Sequence, residues 1–409
     1  MSGLLQRAGS AIRLAYVAGA MLLLGACATW QAPTDTSDAP LRARAITQQK
    51  GSVQVSAAVL GAQDSLRLFG TDVTAAGVQP VWIEVDNRSD HILWLLRTGT
   101  DPDYFSPLEV AWSAHVTFGG NTNERIDEQF SALAFPNPIP ASGTASGIVF
   151  TNPQPVTKLV NVDLLGNRAM VPFTLLLPVP GDIAAGTAVI HRYSDAEIAS
   201  YDDPDALRKA IEALPCCAAS DEGAGGGGPI NVVLIGALDD VAAAANRRGY
   251  RRAVEPPGTP QQLFGRPADF FVRKTAQAGA PAVWLRIWRA PINYLGEPVL
   301  VAQAGRPVGG RFSAGSADES RLNPDVDEVR NLVIQDFMYS GGLEQLAFAS
   351  GVGAVPADQP RVMADGGGYY TDGRRAALFL VTRPLAFSDV ELLDWEPVLP
   401  EKQADAGKE

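Results

Sequence analysis

Histidine and cysteine are almost missing from this 409-residue chain, at three residues each, and charged residues make up only 19% of it. His91, His115 and His191 all precede residue 230. The C-terminal part therefore cannot assemble a Ser-His-Asp or Cys-His centre, or a histidine metal site, of its own. No CxxC occurs, which excludes a thioredoxin-like centre and a cysteine-rich zinc site. No GxSxG elbow or HExxH helix occurs either. Neither a metal nor a cofactor is expected. Positive charge is also short: 33 basic residues against 45 acidic ones give a net charge of −12. That balance argues against nucleic acid as a partner and against docking on anionic headgroups, because both would repel the chain. With 46% apolar residues, however, there is material for sizeable cores, so the chain is not disordered as a whole.

The first residues carry Arg7 and Arg13 and no acid, and the apolar run 14–24 follows. That run is too short for a comfortable span, which takes about 20 residues. A basic start, a short apolar stretch and small residues before a cut site describe a secretory signal over residues 1–26. Leu24-Gly25-Ala26-Cys27 resembles the lipobox of bacterial lipoprotein precursors. The resemblance implies that Cys27 is acylated, palmitate included, and becomes the mature N-terminus. Ala28 in place of an aspartate implies the periplasmic face of an outer membrane. Loss of the signal removes two arginines and leaves 31 basic against 45 acidic residues, a charge of −14.

Residues 27–50 are polar and proline-containing, and read as a flexible tether. From Gly51 the pattern turns to period two: Val53, Val55, Ala57 and Val59, then Val81, Ile83 and Val85. Further strands are predicted at 91–96, 110–118, 148–150, 159–164 and 171–177, with proline- and glycine-rich turns between them. About seven short strands predict an antiparallel β-sandwich over residues 51–182. Residues 183–229 read as a helical connector ending in a linker at Gly225-Gly-Gly-Gly228. Gly223, Gly225 and Gly228 satisfy GxGxxG in form only. They precede a strand, whereas a dinucleotide fingerprint follows one and opens a helix.

Residues 230–383 read as a mixed domain. Strand 231–236 precedes a helix over 238–248, and strands 283–289 and 298–304 follow. The next helix is signposted by Asn323 as N-cap, Pro324 in its first turn and Asp325, Asp327 and Glu328 at the positive end of the dipole. Val326, Val329, Val333 and Phe337 line its buried face, and a final strand covers 376–382. The order β-α-β-β-α-β predicts a ferredoxin-like α+β domain with an insertion near 250–282. Residues 384–409 read as a tail.

Several stretches of this part resemble the LssY C-terminal domain family: Leu214-Pro-Cys-Cys217, Pro229-Ile-Asn-Val-Val-Leu-Ile-Gly236, Leu263-Phe-Gly-Arg266, Leu285-Arg-Ile-Trp288, Asn323-Pro-Asp-Val-Asp327 with Arg330, and Tyr370-Thr-Asp-Gly373. The resemblance covers about residues 205–383. It implies the company of membrane proteins, some phosphatase-like, but no activity of the domain itself.

Three groups are candidates for function. The cluster Asp325, Asp327 and Glu328, with Arg330 and Asp372, is the densest set of acids able to do chemistry or hold a hard cation. Carboxylates in a first helical turn are equally explained by cap and dipole, and calcium needs six to eight oxygens that the nearby sequence does not supply. Trp284, Arg286 and Trp288 share one strand face, a possible partner surface. Cys216 and Cys217, beside Pro215, read as two half-buried thiols, with a vicinal disulfide as the alternative. The leading expectation is a membrane-anchored envelope lipoprotein that binds or assembles with an envelope protein or glycan. The alternative is a hydrolase or phosphate-ester-handling enzyme that uses the carboxylates at 325–328. The two diverge on whether those acids meet in an open pocket or are spent on caps and ion pairs.

Overall fold

The computed structural model describes residues 30–101, 104–117, 119–181, 190–220, 226–255, 261–274, 281–309, 317–363, 367–382 and 384–397. Cys27, the signal, Gly223, Gly225 and the last twelve residues of the tail lie outside them. Strand accounts for 40% and helix for 23% of a mixed α/β structure, so sheets set the frame. The chain divides into two compact units at Pro153 and Gln154.

The first unit holds a four-stranded antiparallel sheet of β1 (Ile46–Lys50), β2 (Val53–Val59), β3 (Gln79–Asn87) and β4 (Gly143–Thr151), hydrogen-bonded in that order. Three helices supply the residues that pack with Ala58, Trp82, Ile148 and Phe150: α1 (Ala62–Phe69), α2 (Pro107–Trp112) and α3 (Asn121–Leu133). Phe69, Phe130 and Phe150 meet at its centre, with Phe69 and Phe130 stacked 4.5 Å apart. The expected two-sheet sandwich is not reproduced within this unit. The segment 110–118, expected as a strand, begins inside α2. Ser106 accepts from Glu109 N, the Glu109 side chain accepts from Ser106 N, and Pro107 takes the first turn, a capping box that outweighs local β propensity. Part of the expected tether is also ordered. Leu41 is fully buried, and β1 pairs with β2 although its ITQQK sequence is mostly exposed and shows no apolar alternation.

The second unit contains the hairpin β5 (Thr157–Leu165) and β6 (Met170–Pro178), and a large mixed sheet. After α4 (Pro204–Glu212), the chain enters the sheet at β7 (Val232–Ile235) and leaves through α5 (Leu238–Arg247). Four strands then run back towards β7: β8 (Tyr250–Arg252), β9 (Phe270–Lys274), β10 (Trp284–Tyr294) and β11 (Glu297–Gly305). The chain continues through α6 (Val326–Tyr339) to β12 (Leu343–Ala349) and β13 (Arg375–Leu380), with a short β14 (Glu391–Leu392) at the far edge. The spatial order is β8-β9-β10-β11-β7-β13-β12-β14.

The β10-β11-β7-β13 segment has the spatial order of a ferredoxin-like sheet, but that arrangement is not reproduced as such. Its strands would alternate in direction, whereas β7 and β13 run parallel. The reason is β12, which the sequence reading left as loop. It takes the return from α6 and pairs antiparallel with β13, so β13 enters between β7 and β12 in the opposite sense. As expected, α5 and α6 lie on one face: Val241, Ala244, Val329, Val333 and Phe337 share a core with Leu234, Leu285, Leu300 and Leu378. The other face packs Leu207 and Ile211 of α4 with Val233, Trp288, Val301 and Phe379. The glycine run is no plain linker either. Gly226–Pro229 is a strand paired with Cys217–Ser220, and a Cβ on Gly228 would sit 1.9 Å from Gln303 Nε2.

Candidate functional site

The motif stretches at 323–330 and 370–373 converge beside the start of α6. The helix begins at Val326, with Asp325 rather than Asn323 as its N-cap, because two side chains divide the capping. Asn323 Oδ1 accepts from Asp325 N at 3.0 Å, and Asp325 Oδ1 accepts from Glu328 N at 2.9 Å. Asn323 Nδ2 in turn donates to Glu328 Oε2. Together these bonds satisfy orphan N–H groups at the start of the helix.

Asp327 is equally occupied. Its Oδ1 accepts from Thr371 Oγ1 at 2.7 Å and lies 3.3 Å from Arg330 Nη1, while Oδ2 accepts from Asp372 N at 2.6 Å. Arg330, only 3% exposed, holds Asp372 through two parallel bonds of 2.9 and 3.0 Å and donates a third to Arg374 O. Burial opposes ionisation of Asp372, but the Arg330 bonds outweigh it and hold the carboxyl below its usual value. Burial pushes the Tyr370 hydroxyl up, and its bond to Asp325 adds to the rise. The turn at Gly373 takes φ +89°, and a Cβ there would meet Ala354 N at 2.5 Å, so the loop that presents Asp372 requires glycine. Asp325, Asp327, Glu328, Arg330 and Asp372 are thus brought together as expected, but as a knot tying α6 to the 370–375 turn. Among the described residues no group of three or more His, Cys, Asp or Glu side chains could hold a metal ion.

Three residues that the sequence reading passed over, Arg375, Tyr369 and Arg361, join this corner to the cysteines. Arg375 is fully buried and donates to four carbonyls, those of Ile211, Leu214, Pro215 and Gly351, at 2.8–3.1 Å. Burial without a carboxylate partner brings its guanidinium down to about 10. Two of the four carbonyls lie at or just beyond the C-terminal end of α4, where a cation is favoured by the helix dipole. Cys216 and Cys217 are joined as a vicinal disulfide, not left as thiols. Tyr369 Oη lies 3.6 Å from Cys217 Sγ, and Arg361 donates to that hydroxyl at 3.3 Å. The available signal was the basic pair Arg374-Arg375 at the start of an otherwise apolar strand.

The tryptophan face is interior. Trp288 is fully buried, Trp284 is 5% exposed and Arg286 is 7% exposed. Trp288 Nε1 donates to Arg266 O at 3.3 Å, and the Trp284 ring lies 5.4 Å from that of Phe271. Arg286 stacks on Trp284 and is bound by Glu255 and Gln303. These side chains fill the second unit rather than wait for a partner. Among the histidines, His115 pairs with Asp127 and His91 with Asp90, both in the first unit, while His191 stacks edge-on against Tyr193.

Part of the chain that builds this mixed sheet is similar in sequence to a described family. Residues 252–374 match the model of the LssY C-terminus family, a narrower span than the 205–383 read from the sequence. A comparison with curated proteins finds no match.

Proposed function

We propose that the chain is a membrane-anchored envelope lipoprotein acting as a binding or assembly module, held by lipid on Cys27 at the periplasmic face of an outer membrane. The observation that supports a binding role over a hydrolytic one is the state of the acids at 325–328 and 372. Each of them holds a backbone N–H, a hydroxyl, an amide or Arg330, so the cluster is engaged in tying α6 to the 370–375 turn. The support for the anchor is Leu24-Gly25-Ala26-Cys27 after a basic start and a short apolar run. Among the described residues no helix is long and apolar enough to cross a membrane, so membrane attachment through lipid is consistent with them. The test is intact-mass spectrometry with membrane fractionation of wild type and Cys27→Ser. The wild type is expected as an acylated product beginning at residue 27 that sediments with membranes. The variant is expected uncut and unacylated. The same lipidated mass from both proteins would end this reading.

A further inference from the structure

On the helix side of the large sheet, the second unit forms a partly open cavity of about 620 Å³, within the range of about 300–1,000 Å³ typical of ligand pockets. Its floor is the apolar sheet face, including Leu234, Leu285, Ile287 and Leu300, and its end wall is Phe337 of α6. The α5 helix and the β5–β6 hairpin form the sides, tied together where Asn246 Nδ2 donates to Thr157 O at 3.3 Å. A void with such a lining is unfavourable to water, because water needs two to four polar partners there.

The cationic groups lie at the end where α5 turns into β8. Arg251 and Arg252 both line the cavity, and burial lowers the affinity of each guanidinium for its proton. Arg251 donates to the carbonyls of Asn246 and Tyr250 at 2.8 and 2.9 Å and makes no ion pair among the described residues. Its Nε and the Oδ1 of Asn246 are shielded from water and have no partner. Asp239, also in the lining, is exposed in the first turn of α5. A half-buried cation without a counter-charge, at one end of an apolar cavity, is unusual: such groups are normally paired. The arrangement complements a molecule that is apolar along its length and anionic at one end.

We infer that this cavity binds a single-chain amphiphile with an anionic head, its acyl chain along the sheet face and its head at Arg251. The inference goes beyond the anchored-module reading and does not depend on it, since the lipid on Cys27 is covalent and this ligand is not. A free fatty acid and a lysophospholipid share the required chemistry.

The test is native mass spectrometry of the purified full-length chain with oleate, lysophosphatidylglycerol or neutral monoolein. Oleate or lysophosphatidylglycerol, or both, should bind one molecule per chain, and which one binds identifies the source. Arg251→Gln should weaken the anionic ligand about tenfold, a modest loss for a charge-assisted contact, and leave monoolein unchanged. Ala245→Trp, which fills the cavity from α5, should abolish binding while the circular-dichroism spectrum is retained. Should that variant not fold, the Arg251→Gln comparison decides. Failure of both anionic ligands to bind, binding unaltered by either variant, or monoolein binding as tightly as oleate would overturn the inference.

Discussion

The two faces of the large sheet are packed by different means. On one, Trp288 is fully buried among Leu207, Ile211, Val233, Val301, Ala347 and Ala377, a mixture of one large and several small side chains that interlock. On the other, Leu234, Leu285, Ile287 and Leu300 carry α5 and α6 and also border a cavity of about 620 Å³. Both faces are equally apolar. The difference lies in what crosses them. Two helices and a hairpin leave a gap where their cylinders and ribbons do not meet, whereas α4 and the short hairpin of residues 261–267 close over the tryptophan side. Packing to crystal-like density is the norm in interiors, so a void of this size needs an occupant or a role.

Four substitutions sharpen that contrast, in falling order of effect. Trp288→Ala on the filled face should cost about 3–5 kcal/mol in urea denaturation, since transfer and cavity terms add. A cost below about 1 kcal/mol would show that this face is looser than its burial indicates. Arg375→Met should cost about 2–4 kcal/mol, because the carbonyls of Ile211, Leu214, Pro215 and Gly351 lose their donor at once. Ala377→Leu should cost about 1–3 kcal/mol by overpacking. Ala245→Leu, directed into the cavity, should stay within about 0.5 kcal/mol of wild type. Equal costs for those two leucines would erase the distinction between the faces.

The smallest effect concerns pH. The Asp372 carboxyl is held below its usual value of 3.8 in the folded chain by Arg330. A lowered folded value means that the pair stabilises fully above 3.8 and that this stabilisation is lost as the pH falls through the lowered folded value. Acid unfolding of Asp372→Asn should lack that contribution: the variant is less stable at neutral pH, and its difference from wild type narrows as acid is added. A difference independent of pH would assign the effect to lost hydrogen bonds alone.

Local chemistry made part of this structure legible. The helix α6 was readable because proline, cap acids and an apolar stripe agree, and only its N-cap moved, by two residues. The period of Trp284, Arg286 and Trp288 correctly placed them on one face. Of the covers open to that face, the first domain, the 250–282 insertion or a partner, the insertion supplies it through Arg266 and Phe271, 13–22 residues earlier. Among the strands that escaped, three did so for separate reasons. Ile46–Lys50 is a polar edge, Tyr250–Arg252 is too short for any period, and Leu343–Ala349 has Glu344 and Gln345 breaking its alternation just after a glycine pair. The acids of the candidate site were found, and their role as a knot depended on residues 371–375, more than forty positions away. The cavity left no trace in sequence, because its walls come from nine separate elements.

The central claim is that the acid corner is structural and the cavity is the place of binding. The most direct measurement is the melting temperature of Asp327→Asn with and without the anionic amphiphile. The variant should melt lower than wild type, having lost bonds to Thr371 and Asp372, yet gain the same upward shift on adding ligand. A variant that melts like wild type but no longer responds to the ligand would contradict the account.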